Sequence, residues 1–190
     1  AMPYRERSLY AVFNNITIRA RNSGIPSCIV EEAKILYKKI SEAKISRGAN
    51  RKGLIAACVY AACKIKQVPR SAKEIAEIFG IDTPNTTKGY KIFQEIRKTL
   101  KLEKDHILDS SDSCDFINRF CSKLRLTDET KELCHTVCKR AEDFSIVSEN
   151  TPPSLAAGSI YLISSLFHLQ ISKKDISDTC RISEVTISKC

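Results

Sequence analysis

Apolar residues recur along this chain at intervals of three and four, so the elements the pattern predicts are helices. Leu9, Val12, Phe13 and Ile16 form the first stripe, which must end before Gly24-Ile25-Pro26. A second runs through Val30, Ala33, Leu36, Tyr37 and Ile40, with Ser27 placed to cap its start. From about Lys52 to Lys66 the pattern changes, because Ala56-Ala57-Cys58-Val59-Tyr60-Ala61-Ala62-Cys63 is apolar on nearly every face and built of small side chains. Such a segment suits a central helix that its neighbours approach closely on all sides. A short helix from Ser71 to Phe79 and a longer one from about Asn85 to Leu102 complete the set.

The pattern then starts again. Sliding the sequence by 101 residues superimposes Ile25 to Ile81 on Leu126 to Ile182 without a gap, with ten of the 57 positions identical, among them Leu54 with Leu155, Tyr60 with Tyr161 and Ile75 with Ile176. Punctuation repeats as well: Ser71-Ala72-Lys73-Glu74 and Ser172-Lys173-Lys174-Asp175 are both Ser-x-x-acid capping boxes, which satisfy the orphan amides of a helix start. The expectation is an all-α chain made of two five-helix copies, 1–105 and 106–190, joined near Glu103 to Asp112. One stretch, Asn150 to Ser172, carries no formal charge. Pro152, Pro153, its serines, His168 and its alignment with the first copy's central helix make it a core helix rather than a membrane span.

In the second copy, Lys173 to Cys180, a turn around Arg181-Ile182 and a helix capped by Ser183 have the outline of a helix-turn-helix. A recognition helix presents its first-turn side chains to base edges, so Val185, Thr186, Ser188 and Lys189 are the candidate readers. The same outline also serves as a plain packing unit.

Charge adds weight to the nucleic-acid reading. The chain has 31 Lys and Arg against 22 Asp and Glu, a formal charge of +9. Residues 1–105 carry 21 basic and 10 acidic side chains and 106–190 carry 10 and 12, so the halves are +11 and −2. Arg70 and Lys73 stand at the entry to the short helix, as Lys173 and Lys174 do in the second copy. Lys88, Lys91, Lys98, Lys101 and Lys104 follow, and helical spacing gathers Lys88, Lys91, Lys98 and Lys101 on one face with Glu95 as the acidic exception. That density favours phosphate or an acidic protein partner, with strongly salt-dependent binding. The nine cysteines are odd in number and form no Cys-x-x-Cys pair, so free thiols in a reducing compartment are expected. Cys134 and Cys138 flank His135, but residues four apart supply only two ligands on one face, and the pair reads as core packing with no metal expected.

Several longer segments carry a resemblance. Arg47-Gly48-Ala49-Asn50, then Ile55 to Lys64, then Val68-Pro69-Arg70-Ser71-Ala72-Lys73-Glu74-Ile75 look like the first cyclin-like repeat of the transcription factor IIB family. Asp115 to Leu124, Pro153-Ser154-Leu155-Ala156-Ala157 with Ile160-Tyr161, and Ser183-Glu184-Val185-Thr186-Ile187 resemble the second repeat, in the expected order. The resemblance implies two tandem cyclin-like repeats acting as a general initiation factor core of a divergent or viral homologue. Its implied partners are TATA-binding protein, promoter DNA and RNA polymerase. It also implies a monomer, working in the nucleus or in a cytoplasmic viral factory, with no membrane partner. Carried over position by position, it places Thr87, Lys88 and Lys91 against TATA-binding protein, and gives the Val185-Thr186-Ile187-Ser188 run the upstream-element readout.

Three departures shape these expectations. Ser188 stands where the family has an arginine able to grip guanine in bidentate fashion, and Glu95 where it tends to have lysine. Cys190 falls within the first turn or two of the second repeat's final helix, so that helix is expected to be truncated. No cofactor is expected in these residues, the family's zinc ribbon belonging to a longer chain. Cyclin folds also act as protein-interaction modules that activate kinases or serve as adaptors without touching DNA, and a +11 repeat is the feature such a module does not need. Enzyme chemistry is not expected: there is no phosphate-binding glycine loop and no His-Glu-x-x-His, and His106, His135 and His168 are scattered.

Overall fold

The computed structural model describes residues 3–100, 112–146 and 149–190, and every regular element among them is a helix. The chain divides into two compact units, Ala1–Asp109 and Ser110–Cys190. The first contains α1 (Tyr4–Asn22), α2 (Ser27–Ala43), α3 (Gly48–Ile65), α4 (Ala72–Phe79) and α5 (Thr83–Leu100). The second contains α6 (Cys114–Lys123), α7 (Asp128–Asp143), α8 (Pro152–Leu166), α9 (Lys173–Cys180) and α10 (Glu184–Lys189).

In the first unit α3 is the axis, as its all-round apolar pattern predicts. Gly53 to Val59 and Ala61 to Lys64 are buried, and Ile16, Ile29, Ile40, Ile75 and Phe93 from the other four helices close the core around them. Small side chains let α5 come very near: a Cβ on Gly53 would stand 2.7 Å from the Asn85 carbonyl oxygen, and one on Gly89 would run into the carbonyl of Gly53. The second unit packs Phe116, Ile117, Phe120, Cys134, Cys138, Ile176 and Ile187 around Leu155 to Ile163 of α8. A close approach recurs there between Gly158 and Cys190, and position 190 is the 101-residue counterpart of position 89.

The repeat is written in the backbone more clearly than in side-chain identity. Left-handed residues end helices at Gly24 and Arg125, at Gln67 and His168, and at Gly80 and Arg181, three pairs each 101 residues apart. Such a residue lets the next amides turn back onto the last carbonyls, as when the Ile25 amide bonds to Ala20 O at 2.9 Å and the Leu126 amide to Cys121 O at 3.0 Å. Both capping boxes form: Ser71 and Glu74 exchange bonds of 2.8 and 3.1 Å, and Ser172 and Asp175 bonds of 2.9 and 3.0 Å.

Three helix starts differ from the sequence expectation, each for a local reason. Ser27 is the first residue of α2 and not its cap, because the Pro26 carbonyl already accepts the Ile29 and Val30 amides at 3.0 and 3.2 Å. Helix α3 begins at Gly48, with the Arg51 amide bonding back to Arg47 O at 3.4 Å, rather than near Lys52. Helix α5 starts at Thr83 because the Asp82 carboxylate takes the Asn85 amide at 2.7 Å. Helix α8 starts at Pro152, whose ring presets the helical φ, and stops at Leu166 ahead of the left-handed His168. No helix among the described residues is long and apolar enough to cross a membrane.

The close helix crossing generates a test. Gly89→Ala should lower the unfolding free energy by about 3 kcal/mol, the upper part of the overpacking range, since a backbone carbonyl cannot swing aside as a side chain can. Urea unfolding followed by circular dichroism measures it, and a loss no larger than that of Thr87→Ala on the exposed face would contradict the packing described.

Candidate functional site

The geometry of α5 follows from the crossing it makes with α3. Thr86, Gly89, Phe93, Ile96 and Arg97 face inward and are buried. Helical periodicity then turns Thr87, Lys88, Lys91, Glu95 and Lys98 outward, where all five are exposed. The Thr87 hydroxyl donates to the Thr83 carbonyl at 3.1 Å. No carboxylate pairs with Lys88, Lys91 or Lys98 among the described residues, so with Glu95 as its one acid this face presents a net positive charge. Lys101, Lys104 and His106 lie outside the described residues. At the start of α4, Lys73 is exposed, whereas Arg70 is only 8% exposed. The expectation that Arg70 meets phosphate from the surface is therefore corrected: the segment entering α4 folds it against the unit and leaves little of it to a partner.

In the second unit, α9 and α10 are joined by a turn at Arg181, a non-glycine residue in the left-handed region at φ 59°. The first unit has glycine at the matching position, Gly80. The Ser183 cap forms, its Oγ accepting the Thr186 amide at 3.1 Å. Ile187 is buried and anchors α10, which leaves Val185, 65% exposed, with exposed Ser188 and Lys189 on the outer side. Thr186 is half-buried and its hydroxyl is shared with that of Ser183 at 2.8 Å, so it belongs to the cap as much as to the surface. Ser188 donates to the Glu184 carbonyl at 3.0 Å and accepts from Lys173 Nζ at 2.9 Å. Lys173 also lies over the Tyr161 ring, 4.7 Å from its centroid, while Lys174 is exposed. Nothing local in the sequence signals the tie between Lys173 and Ser188, which are fifteen residues apart on different helices. One trace of it exists: Lys64 sits over Tyr60 in the first unit, and Ser165 at the matching position leaves Tyr161 without a cation from its own helix.

Six of the nine thiols, Cys58, Cys63, Cys121, Cys134, Cys138 and Cys180, are buried in the cores. Cys134 and Cys138 are fully buried in the second core, where burial pushes the Cys138 thiol up to about 11 and a hydrogen bond with Cys121 draws the Cys134 thiol down. Burial drives the Cys58 thiol upward as well. His135 stands apart from them, its Nε2 2.9 Å from Asn118 Oδ1. The one trio of ligand-type atoms gathered within 4.8 Å among the described residues is Asp112, Cys114 and Glu142. Its carboxylates serve as backbone caps, Asp112 taking the Cys114 amide and Glu142 the Ser113 amide, both at 2.9 Å.

Comparison with known proteins gives a consistent set of matches. The family described as transcription factor TFIIB repeat matches residues 5–96 and again 108–190. A transcription initiation factor IIB-like protein of Acanthamoeba polyphaga mimivirus is 38% identical over 200 residues, covering 98% of this chain and 43% of that protein. Transcription initiation factor IIB of Dictyostelium discoideum is 33% identical over 96% of this chain and 54% of its own length. Transcription initiation factor IIB 1 of Thermoplasma volcanium is 30% identical over 96% and 56%. The chain thus spans about half the length of these curated relatives, whose names are those of initiation factors and not of enzymes.

A thiol titration tests the burial pattern. In the native protein Ellman's reagent should react rapidly with exposed Cys28 and more slowly with half-buried Cys114 and Cys190, leaving Cys58, Cys63, Cys121, Cys134, Cys138 and Cys180 unreacted until denaturant is added. Rapid labelling of Cys134 or Cys138 before unfolding would contradict their assignment to the core.

Proposed function

The chain belongs to the transcription factor TFIIB repeat family, and from that premise we propose that it is the core of a transcription initiation factor that binds TATA-binding protein and the promoter DNA beside it and helps to position RNA polymerase. The observation that carries the reading is the outer face of α5, where Lys88, Lys91 and Lys98 are exposed with no carboxylate paired to them among the described residues. A row of unpaired ammonium groups on a rigid helix repels itself and is relieved by an acidic protein surface or by phosphate. Thr87, Lys88 and Lys91 are assigned to TATA-binding protein. Lys73, Lys173, Lys174, Val185 and Lys189 are assigned to DNA.

Charge placement separates this reading from a cyclin-type module that binds protein alone. Such a module docks through apolar area and gains nothing from a half-chain charge of +11. The viral relative, and the reducing conditions that suit nine free thiols, agree with action in a nucleus or a viral factory.

A gel-shift on a TATA promoter fragment tests the proposal. Adding the chain to the complex of DNA and TATA-binding protein should yield a slower ternary band that fades steeply with salt. The double variant Lys88→Glu, Lys91→Glu should weaken that band by roughly tenfold or more on every promoter, since it sets carboxylates against an acidic face. Folded protein that forms no ternary band at low salt would overturn the proposal.

A further inference from the structure

We propose that Lys173, held in place by Tyr161 and Ser188, is a fixed cation with which the second unit grips a DNA phosphate, and that Ser188 is its positioning residue and not a reader of bases. The proposal rests on the DNA-contact reading above. Its basis is a chain of contacts across three helices. Lys173 opens α9, its Nζ donates to Ser188 Oγ of α10 at 2.9 Å, and it stands 4.7 Å from the centroid of Tyr161 on α8. Ser188 passes its own hydroxyl hydrogen to the Glu184 carbonyl at 3.0 Å, so its oxygen is turned to accept from the ammonium.

Three consequences follow from elementary chemistry. The Ser188 hydroxyl spends its one donor on Glu184 and one of its two acceptor lone pairs on Lys173, so it has no hydrogen left to give a base edge. The ammonium has three donors and spends one on Ser188, while the aromatic face holds its charge without consuming the rest. No carboxylate pairs with Lys173 among the described residues, so the remaining donors and the full charge are available to an anion. A lysine immobilised beforehand loses less freedom on binding than one waving in solvent. As a compact point charge it suits a phosphate oxygen better than the two-pronged edge of guanine. In a helix-turn-helix the first helix crosses the sugar-phosphate backbone while the second enters the groove, and Lys173 is on the first. The comparison between units sharpens the point. Tyr60 receives its cation from the buried Lys64 four residues on in the same helix, where the pair is internal packing, whereas Tyr161 receives one from Lys173 of α9, a lysine that is half-buried and so still reaches the surface.

The experiment is fluorescence anisotropy of the ternary complex with TATA-binding protein, on two labelled TATA duplexes that differ only in their upstream flank, across a salt series. Lys173→Met should weaken assembly roughly three- to tenfold by the same factor on both duplexes and reduce the slope of log affinity against log salt by about 1. Ser188→Ala should act in the same direction with a smaller loss, Ser188→Thr should restore binding, and the double variant should be no weaker than Lys173→Met alone. Unchanged affinity and slope for Lys173→Met, with the parent protein still assembling, would overturn the proposal and leave the DNA-contact reading standing. So would a loss in Ser188→Ala confined to one flank, which would make Ser188 a base reader. Failure of the parent protein to assemble would overturn both.

Discussion

The approach of two backbones at Gly53 and Gly89 governs the first unit. Because neither residue has a side chain, α3 and α5 cross with carbonyl oxygens where Cβ atoms would otherwise stand. That contact settles which side of α5 faces inward, and Phe93 and Ile96 lock the choice by filling the core. Once the inner side is set, a period of 3.6 residues leaves no freedom about the outer one. Thr87, Lys88, Lys91 and Lys98 share a face because Gly89, Phe93 and Ile96 share the opposite one. The positive surface is thus a consequence of core geometry.

The second unit reuses the frame with different chemistry. Turns at Gly24 and Gly80 reappear at Arg125 and Arg181, so a left-handed conformation that glycine adopts freely is imposed on two arginines. Each carries some strain, and each puts a basic side chain where the first unit has none. Tyr60 and Tyr161 keep their place while the cation beside them changes its source. The second unit has little net charge to offer, and four of the ten basic residues in 106–190, Lys173, Lys174, Arg181 and Lys189, stand on α9, α10 and the turn between them.

How much of this was legible in the sequence depended on whether the information was local. The stripes of α1 and α2, the all-round apolar α3 and both capping boxes are contained in short windows, and the structure has them where the pattern put them. The outer lysines of α5 were legible for the same reason, through spacing alone. Arg70 was not: its residue type suggests a surface, and its burial is set by tertiary packing that no short window contains. Thr186 and Ser188 looked like free readers because the partners of their hydroxyls, Ser183 and Lys173, are fixed only by the cap and by packing between helices. The trio of Asp112, Cys114 and Glu142 was invisible because it needs α6 and α7 side by side.

The central claim is that the outer face of α5 is a contact surface of the assembled initiation complex. Lysine acetylation footprinting, read by mass spectrometry with and without TATA-binding protein on a promoter fragment, tests it most directly. The account predicts that Lys88 and Lys91 become protected on assembly while Lys38 and Lys39, exposed on α2, keep their reactivity. Equal modification of Lys88 and Lys91 in the free and assembled protein would contradict it.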